Sequence, residues 1–519
     1  MLSLLCLTTS GSAWAAVFNV AAGDTAGLIA AITTANGNGV ANVINLGGGT
    51  YNLTVADNTS VIAGPNGLPA ITSTLTINGN GSTIARTGAP LFRILQVGSA
   101  TGTVGALTLN NAIITGGNPG QTPGPQAPTD GGGIVVFAAN SSLTVNGSTI
   151  SGNTSRGGGG ISIEGTAASA VITNSTVSSN TASSTTGGFG GGIAVEGFTS
   201  RLTVTNSNVL NNVAAGATGG AVGAAGGAIS VDGGANVINI TNSTLSGNQA
   251  NGGTAGAEGG AIEESGGNSS VYVITGTTIS NNSVNATTGN ARGAGFMASA
   301  DATVTFRNST ISGNSLSTGS ATVQGGAIAN TGGSVFVLSN TTVTNNSAKT
   351  GGGLFQTGAG SITLRNSILA GNAASTTGPD CNGTIASQGH NLIGSTVGCT
   401  FAASTGDLLG ASANLGPLAN NGGPTQTHAL NVGSVAIDAG DSGVPGSGGT
   451  ACEATDQRGV TRPQGVRCDI GAFEVSGAPP PPPPPPVATV VPTLSEWAIY
   501  ALSALLGLFG IVGIRLRGR

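Results

Sequence analysis

Three acidic residues, Glu164, Glu196 and Asp232, hold the same place in successive copies of a short motif. Each copy reads Gly-Gly-(Gly/Ala)-Ile, and the acid falls three residues after its Ile. Glu263 and Glu264 lie near that place in the next copy. If the copies are strands stacked one above another, these carboxylates form a ladder with rungs roughly 5 Å apart. Like charges at that spacing repel. Calcium or a cationic ligand would relieve the repulsion, and close carboxylates can also act as general acid and base on a polysaccharide. The same residues also fit a solvated acidic stripe whose side chains splay apart. No histidine falls in the repeats, and Arg156, Arg201, Arg292, Arg307 and Arg365 do not share one register with the acids. These acids are therefore candidates, with calcium as the one cofactor they suggest.

The element that positions them is a repeat. "GG[GA]I" starts at Gly131, Gly158, Gly190, Gly226, Gly259 and Gly325, with degenerate copies at Gly293 and Gly351. A second element, "NST(I/V/L)SxN" and variants, ends at Asn153, Asn180, Asn212, Asn248, Asn282, Asn314, Asn346 and Asn372, at intervals of 26 to 36 residues. Between them runs an alternating segment such as "RLTVTN" or "VINITN". Apolar residues alternate in each piece (Ile229 and Val231, Ile238 and Ile240, then Leu245), the period that puts them on one face of a strand. One repeat buries too little to fold alone and needs neighbours above and below. Three short strands per repeat, stacked, predict an all-β chain built as a right-handed parallel β-helix. Variable insertions between each Asn and the next Gly pair fit as loops bulging from a coil. The Asn residues suit tight turns and can hydrogen-bond their equivalents as a ladder. Their "NST" contexts match a glycosylation sequon only as a by-product of the repeat.

The ends differ. "GDTAGLIAAITTANG" offers Asp24 as an N-cap with Leu28, Ile29, Ala31, Ile32 and Ala35 on one face, which predicts a helix covering the N-terminal end of the stack. From about Ala373 the repeat lapses, and a segment bearing Cys381, Cys399, Cys452 and Cys468 is expected to cover the other end. These cysteines permit three pairings; the local one, 381 with 399 and 452 with 468, is expected in an exported chain. Zinc is less favoured, since no CxxC occurs and His390 and His428 are the two histidines. A proline tract, Pro479 to Pro486, reads as a stiff spacer. The uncharged run Trp497 to Ile514, followed by Arg515, Arg517 and Arg519, predicts a single transmembrane helix with the preceding chain outside. "MLSLLCLTTSGSAWA" has an apolar run and an Ala-Trp-Ala cleavage-like site, without the usual basic start. Charged residues make up 6% of the 519, with net charge −5 and a single lysine, Lys349, so nucleic acid is not an expected partner.

Family resemblances add placement. The tail from Val491 resembles the IPTL-CTERM sorting signal of Gram-negative bacteria: Pro492, Thr493, Leu494, Ser495, Glu496 and Trp497 match, and Val491 replaces the usual Ile. That resemblance implies an exosortase-like protease as partner and delivery to the cell surface. "NLGPLANNGGPTQTHAL" through "CDIGAFE" (Asn414 to Glu474) resembles the choice-of-anchor Q domain, in which Asp438, Asp456, Arg458 and Asp469 would serve as turn and salt-bridge residues. The repeats are similar to the GGAI and FxxN repeats of polymorphic outer-membrane adhesins, with Ile, Val or Leu for Phe.

The expected organisation is a leader over 1–15, an N-terminal cap and first coils over 16–106, repeats over 107–372, and a C-terminal cap over 373–474. A linker (475–490) and the sorting signal (491–519) follow. The expected function is adhesion, or interaction with matrix, host or glycan ligands, at a bacterial surface. The alternatives are a polysaccharide lyase or hydrolase using the acidic face, and an inert surface spacer.

Overall fold

The computed structural model describes residues 15–60, 62–120, 130–216, 223–267, 269–317, 319, 322–476 and 494–515. Most of the expected leader, the proline tract, Pro492 and Thr493 lie outside them. The chain divides into two compact units, with the boundary between Val475 and Ser476.

The first unit is a parallel β-helix. Each coil contributes one strand to each of three parallel sheets. In the stretch Gly226 to Asn248 these are Ile229–Val231, Val237–Thr241 and Thr244–Ser246. Every one pairs in register with its equivalent in the coils on both sides: Ile193, Ile229 and Ile262 align, as do Val204, Ile240 and Ile274, and Val209, Leu245 and Ile279. These inward residues are buried and join one continuous core. Gly226, the first of its glycine pair, has φ +62, and a Cβ there would sit 2.3 Å from the Ile229 carbonyl oxygen. That corner turns the chain into the next strand, and glycine alone adopts it without strain.

Helix α1 (Thr25–Gly37) forms as expected. The Asp24 carboxylate accepts from the Gly27 N–H at 2.9 Å, and Leu28, Ala31, Ile32 and Ala35 are buried, with Ile29 packed at their margin.

The insertions do more than bulge. Thr181–Ser183, Val213–Ala215, Gln249–Gly253, Ser283–Ala286 and their neighbours pair into a further parallel sheet. Ala214, Ala250, Val284 and Leu316 give that sheet a small core of its own.

The far end departs from expectation. The stack does not stop near Ala373: Cys381–Ser387 pairs with Leu354–Gln356 and Ser361–Arg365, Cys399–Phe401 pairs with it in turn, and Leu408–Leu409 pairs with Leu392–Ile393. The chain from about Leu415 to Val475 then runs back along the flank as a strap over the third sheet. It is held by an apolar cluster in which Ile470 and Phe473 join Ile368 and Leu392, and by polar contacts. Thr310 Oγ1 donates to Gln457 Oε1 at 2.7 Å, Ser312 Oγ meets His428 Nε2 at 2.8 Å, and the Ala472 N–H donates to Thr342 Oγ1 at 3.0 Å. Both disulfides take the local pairing, Cys381–Cys399 and Cys452–Cys468. Within the strap Arg458 pairs with Asp456 at 2.7 Å, and the Asp469 carboxylate accepts from the Asp438 N–H at 2.8 Å.

In the second unit, α2 (Leu494–Arg515) carries Leu494, Ser495, Glu496 and Trp497 in its first turn. No helix of the described residues is long and apolar enough to cross a membrane, so the expected transmembrane span over 497–514 finds no support.

Candidate functional site

The ladder of acids holds for three rungs. Glu164, Glu196 and Asp232 follow the in-register strands Ile161–Ile163, Ile193–Val195 and Ile229–Val231. Each donates its N–H to the coil before it, Glu196 to Ile163 O at 2.9 Å and Asp232 to Val195 O at 3.0 Å.

The fourth rung is Ser265, which donates to Val231 O at 3.1 Å. Glu263 and Glu264 are not rungs, because they occupy the second and third positions of their strand, in register with Ser230 and Val231. Glu264 therefore points into the core, where the Tyr272 hydroxyl donates to its Oε2. Burial pushes its carboxyl up to about 7, against the opposing pull of that hydrogen bond. Glu263 is buried on the outer side and accepts from Ser230 Oγ at 2.7 Å; burial pushes it up to about 8.

Two upper rungs meet groups that repeat-reading missed. Arg156 reaches the ladder from the corner before its Gly pair. Its Nε and Nη2 donate to the two carboxylate oxygens of Asp130 at 3.0 and 2.6 Å, and Nη2 also lies 3.5 Å from Glu196 Oε2. Beneath them Arg93 is fully buried and donates from Nε and Nη2 to the Asp130 carbonyl oxygen. Glu196 Oε1 is buried without a partner, and a Cβ on Gly157 would fall 2.5 Å from it, so a side chain there would displace the Glu196 carboxyl. Burial, then the Asp130 charge, pushes both Glu164 and Glu196 above the usual carboxylate range. The paired Asp130 carboxylate in turn holds the Arg156 guanidinium further above its ordinary value. The signal for Asp130 was the column just before each Gly pair, with Arg156 one residue earlier in its coil. That column also brings together Glu258, Arg292 and Gln324, where Arg292 bonds Glu258 Oε1 and Gln324 Oε1 at 3.2 Å each.

Chemically, this is a clamp across coils: one bidentate guanidinium–carboxylate pair, with a carboxyl on each neighbouring rung disposed to keep its proton. Among the described residues no group of three or more His, Cys, Asp or Glu side chains is arranged to hold a metal ion. His390 and His428 are likewise spent separately, on Ala439 O and on Ser312 with Gly416 O.

The Asn ladder is complete. From Asn153 to Asn346 each side-chain amide donates to the next residue's Oδ1, at 2.8 to 3.0 Å.

Residues 489–518 match the IPTL-CTERM motif, which implies export and sorting to the cell surface. The match does not extend to Asn414–Glu474 or to the GGAI repeats. No curated protein matches the chain. Among solved structures the chain is similar to one titled "Crystal structure of pectate lyase Pel9A", at 14% identity and TM-score 0.42, covering 88% of this chain and 96% of that one.

Proposed function

We propose that the protein is an exported parallel β-helix displayed at the surface of a Gram-negative bacterium, where it binds matrix, host or glycan ligands rather than transforming them. The observation that carries the binding reading is the fate of the acidic candidates. Glu264 is in the core, Glu263 is tied to Ser230, and Arg156 binds Asp130 against Glu196. What the second and third sheets present outward is instead largely uncharged, rows of Thr, Ser and Asn such as Thr149, Thr176 and Thr244. The sorting motif supports the placement, with an exosortase-like protease as its partner. The test is surface labelling of cells expressing the full chain or one lacking 489–518, paired with attachment to matrix- and glycan-coated wells. Labelling and attachment should both need the motif. Equal surface labelling without it would overturn the placement. Turnover of a polysaccharide by the purified chain, abolished by Glu196→Gln, would replace binding with catalysis.

A further inference from the structure

At the far end of the rod a cleft of about 710 Å³ opens between the third-sheet corner and the start of the strap. Its lining includes Thr344, Asn345, Asp380, Ser395, Ser412 and Asn414. Thr344 is the informative residue. It belongs to a row of outward hydroxyls in register, Ser246, Ser280, Ser312 and Thr344. Lower in the row the hydroxyls find partners inside the protein: Ser280 Oγ donates to Ser246 Oγ at 3.1 Å, and Ser312 Oγ meets His428 Nε2 at 2.8 Å. His428 is aimed there because its Nδ1 bonds the Gly416 carbonyl at 2.7 Å. At Thr344 the strap stands off and the cleft replaces it. Thr344 lines the cleft, and its hydroxyl makes no hydrogen bond to another described residue. Asn345 beside it is exposed at the cleft.

The rest of the lining selects the chemistry. Asp380 is the one ionisable group in it, and its carboxylate is committed to the Asn372 N–H and side-chain amide and to the Ser395 N–H. No aromatic ring lines the cleft, and its apolar members are small apart from Leu415. Pockets of this volume accommodate a small ligand or a short stretch of a polymer. We propose that the cleft binds a neutral glycan segment, with a sugar hydroxyl taking at Thr344 the place that His428 takes at Ser312. This rests on the surface-binding reading and names its ligand class and site.

The experiment is calorimetric titration of the full chain with neutral hexasaccharides of glucose, mannose and xylose, and with hexagalacturonate as the charged control. At least one neutral hexasaccharide should bind. Thr344→Val, which keeps the shape and removes the hydroxyl, should weaken it about tenfold, and Ser412→Trp, an exposed residue at the mouth, should abolish it. Thr33→Val, on helix α1 away from the cleft, should leave it unchanged. The melting temperatures of all variants should match that of the parent. Binding that survives both cleft variants, preference for hexagalacturonate, or no binding of any neutral hexasaccharide would each overturn the proposal. If cells still attach to matrix while no neutral hexasaccharide binds, the surface reading stands and the cleft assignment alone falls.

Discussion

Asn372 donates twice to a single oxygen, Asp380 Oδ1: from its backbone N–H at 3.0 Å and from its side-chain amide at 2.9 Å. Every lower rung makes the same pair of bonds to another asparagine, Asn346 to Asn372 Oδ1 for example. A stack of amides can propagate only while each rung supplies both a donor and an acceptor. The last rung needs an acceptor and has no amide above it to feed, and the chain places an aspartate there. Asp380 is buried, and burial holds its carboxyl above the usual range.

Asp380→Ala should therefore leave two donors on Asn372 unpaired and destabilise the rod by roughly 1–3 kcal/mol per orphaned group. Asp380→Asn keeps the acceptor and should recover most of that. Urea midpoints of the two variants against the parent decide it; equal midpoints for Ala and Asn would remove the ladder-terminating role.

The coil itself was legible in the sequence because every rung repeats the same solution. Alternation at Ile238 and Ile240, a Gly pair at the corner and a closing Asn recur until no other fold fits them, and Asp24 with Leu28 and Ile32 marked the covering helix just as plainly. The strap was not legible for the opposite reason. Gln457, His428 and Glu453 make contacts that recur in no other coil, with Thr, Ser and Arg residues that look like any outward position. The acidic site was half legible. Backbone register gave Glu164, Glu196 and Asp232, but one residue of offset sends Glu264 inward, and Arg156 enters from a corner that strand alternation does not describe.

Stability should fall as pH rises from about 4.5 to about 8. Glu264 and Glu263 are held near 7 and 8 in the fold, above the ordinary 4.5, chiefly by burial. Between those values the folded state keeps protons that the unfolded chain has released, so unfolding stability declines with pH and levels off above the folded values. The groups facing Glu264 are the Tyr272 hydroxyl and the Asp232 charge; those facing Glu263 are Ser230, Ser265 and the Glu258 charge. Each contributes a loss on the order of a few kcal/mol. Urea midpoints measured at pH 5 and pH 8 should differ, and Glu264→Gln, which retains an acceptor for Tyr272, should shrink the difference. A profile rising over this range would contradict the burial assignment.

Reduction of the Cys452–Cys468 bridge should loosen the strap before the rod. The bridge closes a loop with a sequence separation of 16, worth about 3 kcal/mol in chain entropy, within a strap otherwise held by a small apolar cluster of Ile470 and Phe473 with Ile368 and Leu392 and by unrepeated polar contacts. Hydrogen exchange of the Cys452→Ser/Cys468→Ser variant should show faster exchange at the strap amides, including Glu453 and Ala472, which donate to Asn340 and Thr342. Protection in the core strand Ile238 to Ile240 should not change. Uniform loss of protection through both parts would mean that strap and rod unfold together.

The Arg156 clamp distinguishes a structural cluster from a catalytic one. Asp130 is buried beside a guanidinium that is about a third exposed. Removing one partner of a buried pair strands the other's charge, and partial exposure moderates that cost to on the order of 2 kcal/mol. Arg156→Ala should show that loss, and Arg156→Lys should recover only part of it, because a lysine cannot make the two-pronged contact with Asp130. Glu196→Gln should be close to neutral in stability at pH 7, since the carboxyl it replaces already tends to hold its proton. Adding calcium should leave all these midpoints unchanged, because Arg156 supplies the positive charge that an acidic ladder would otherwise need. A calcium-dependent rise in midpoint that Glu196→Gln removes would show instead that the ladder takes up a cation, and would return these carboxylates to the centre of the function.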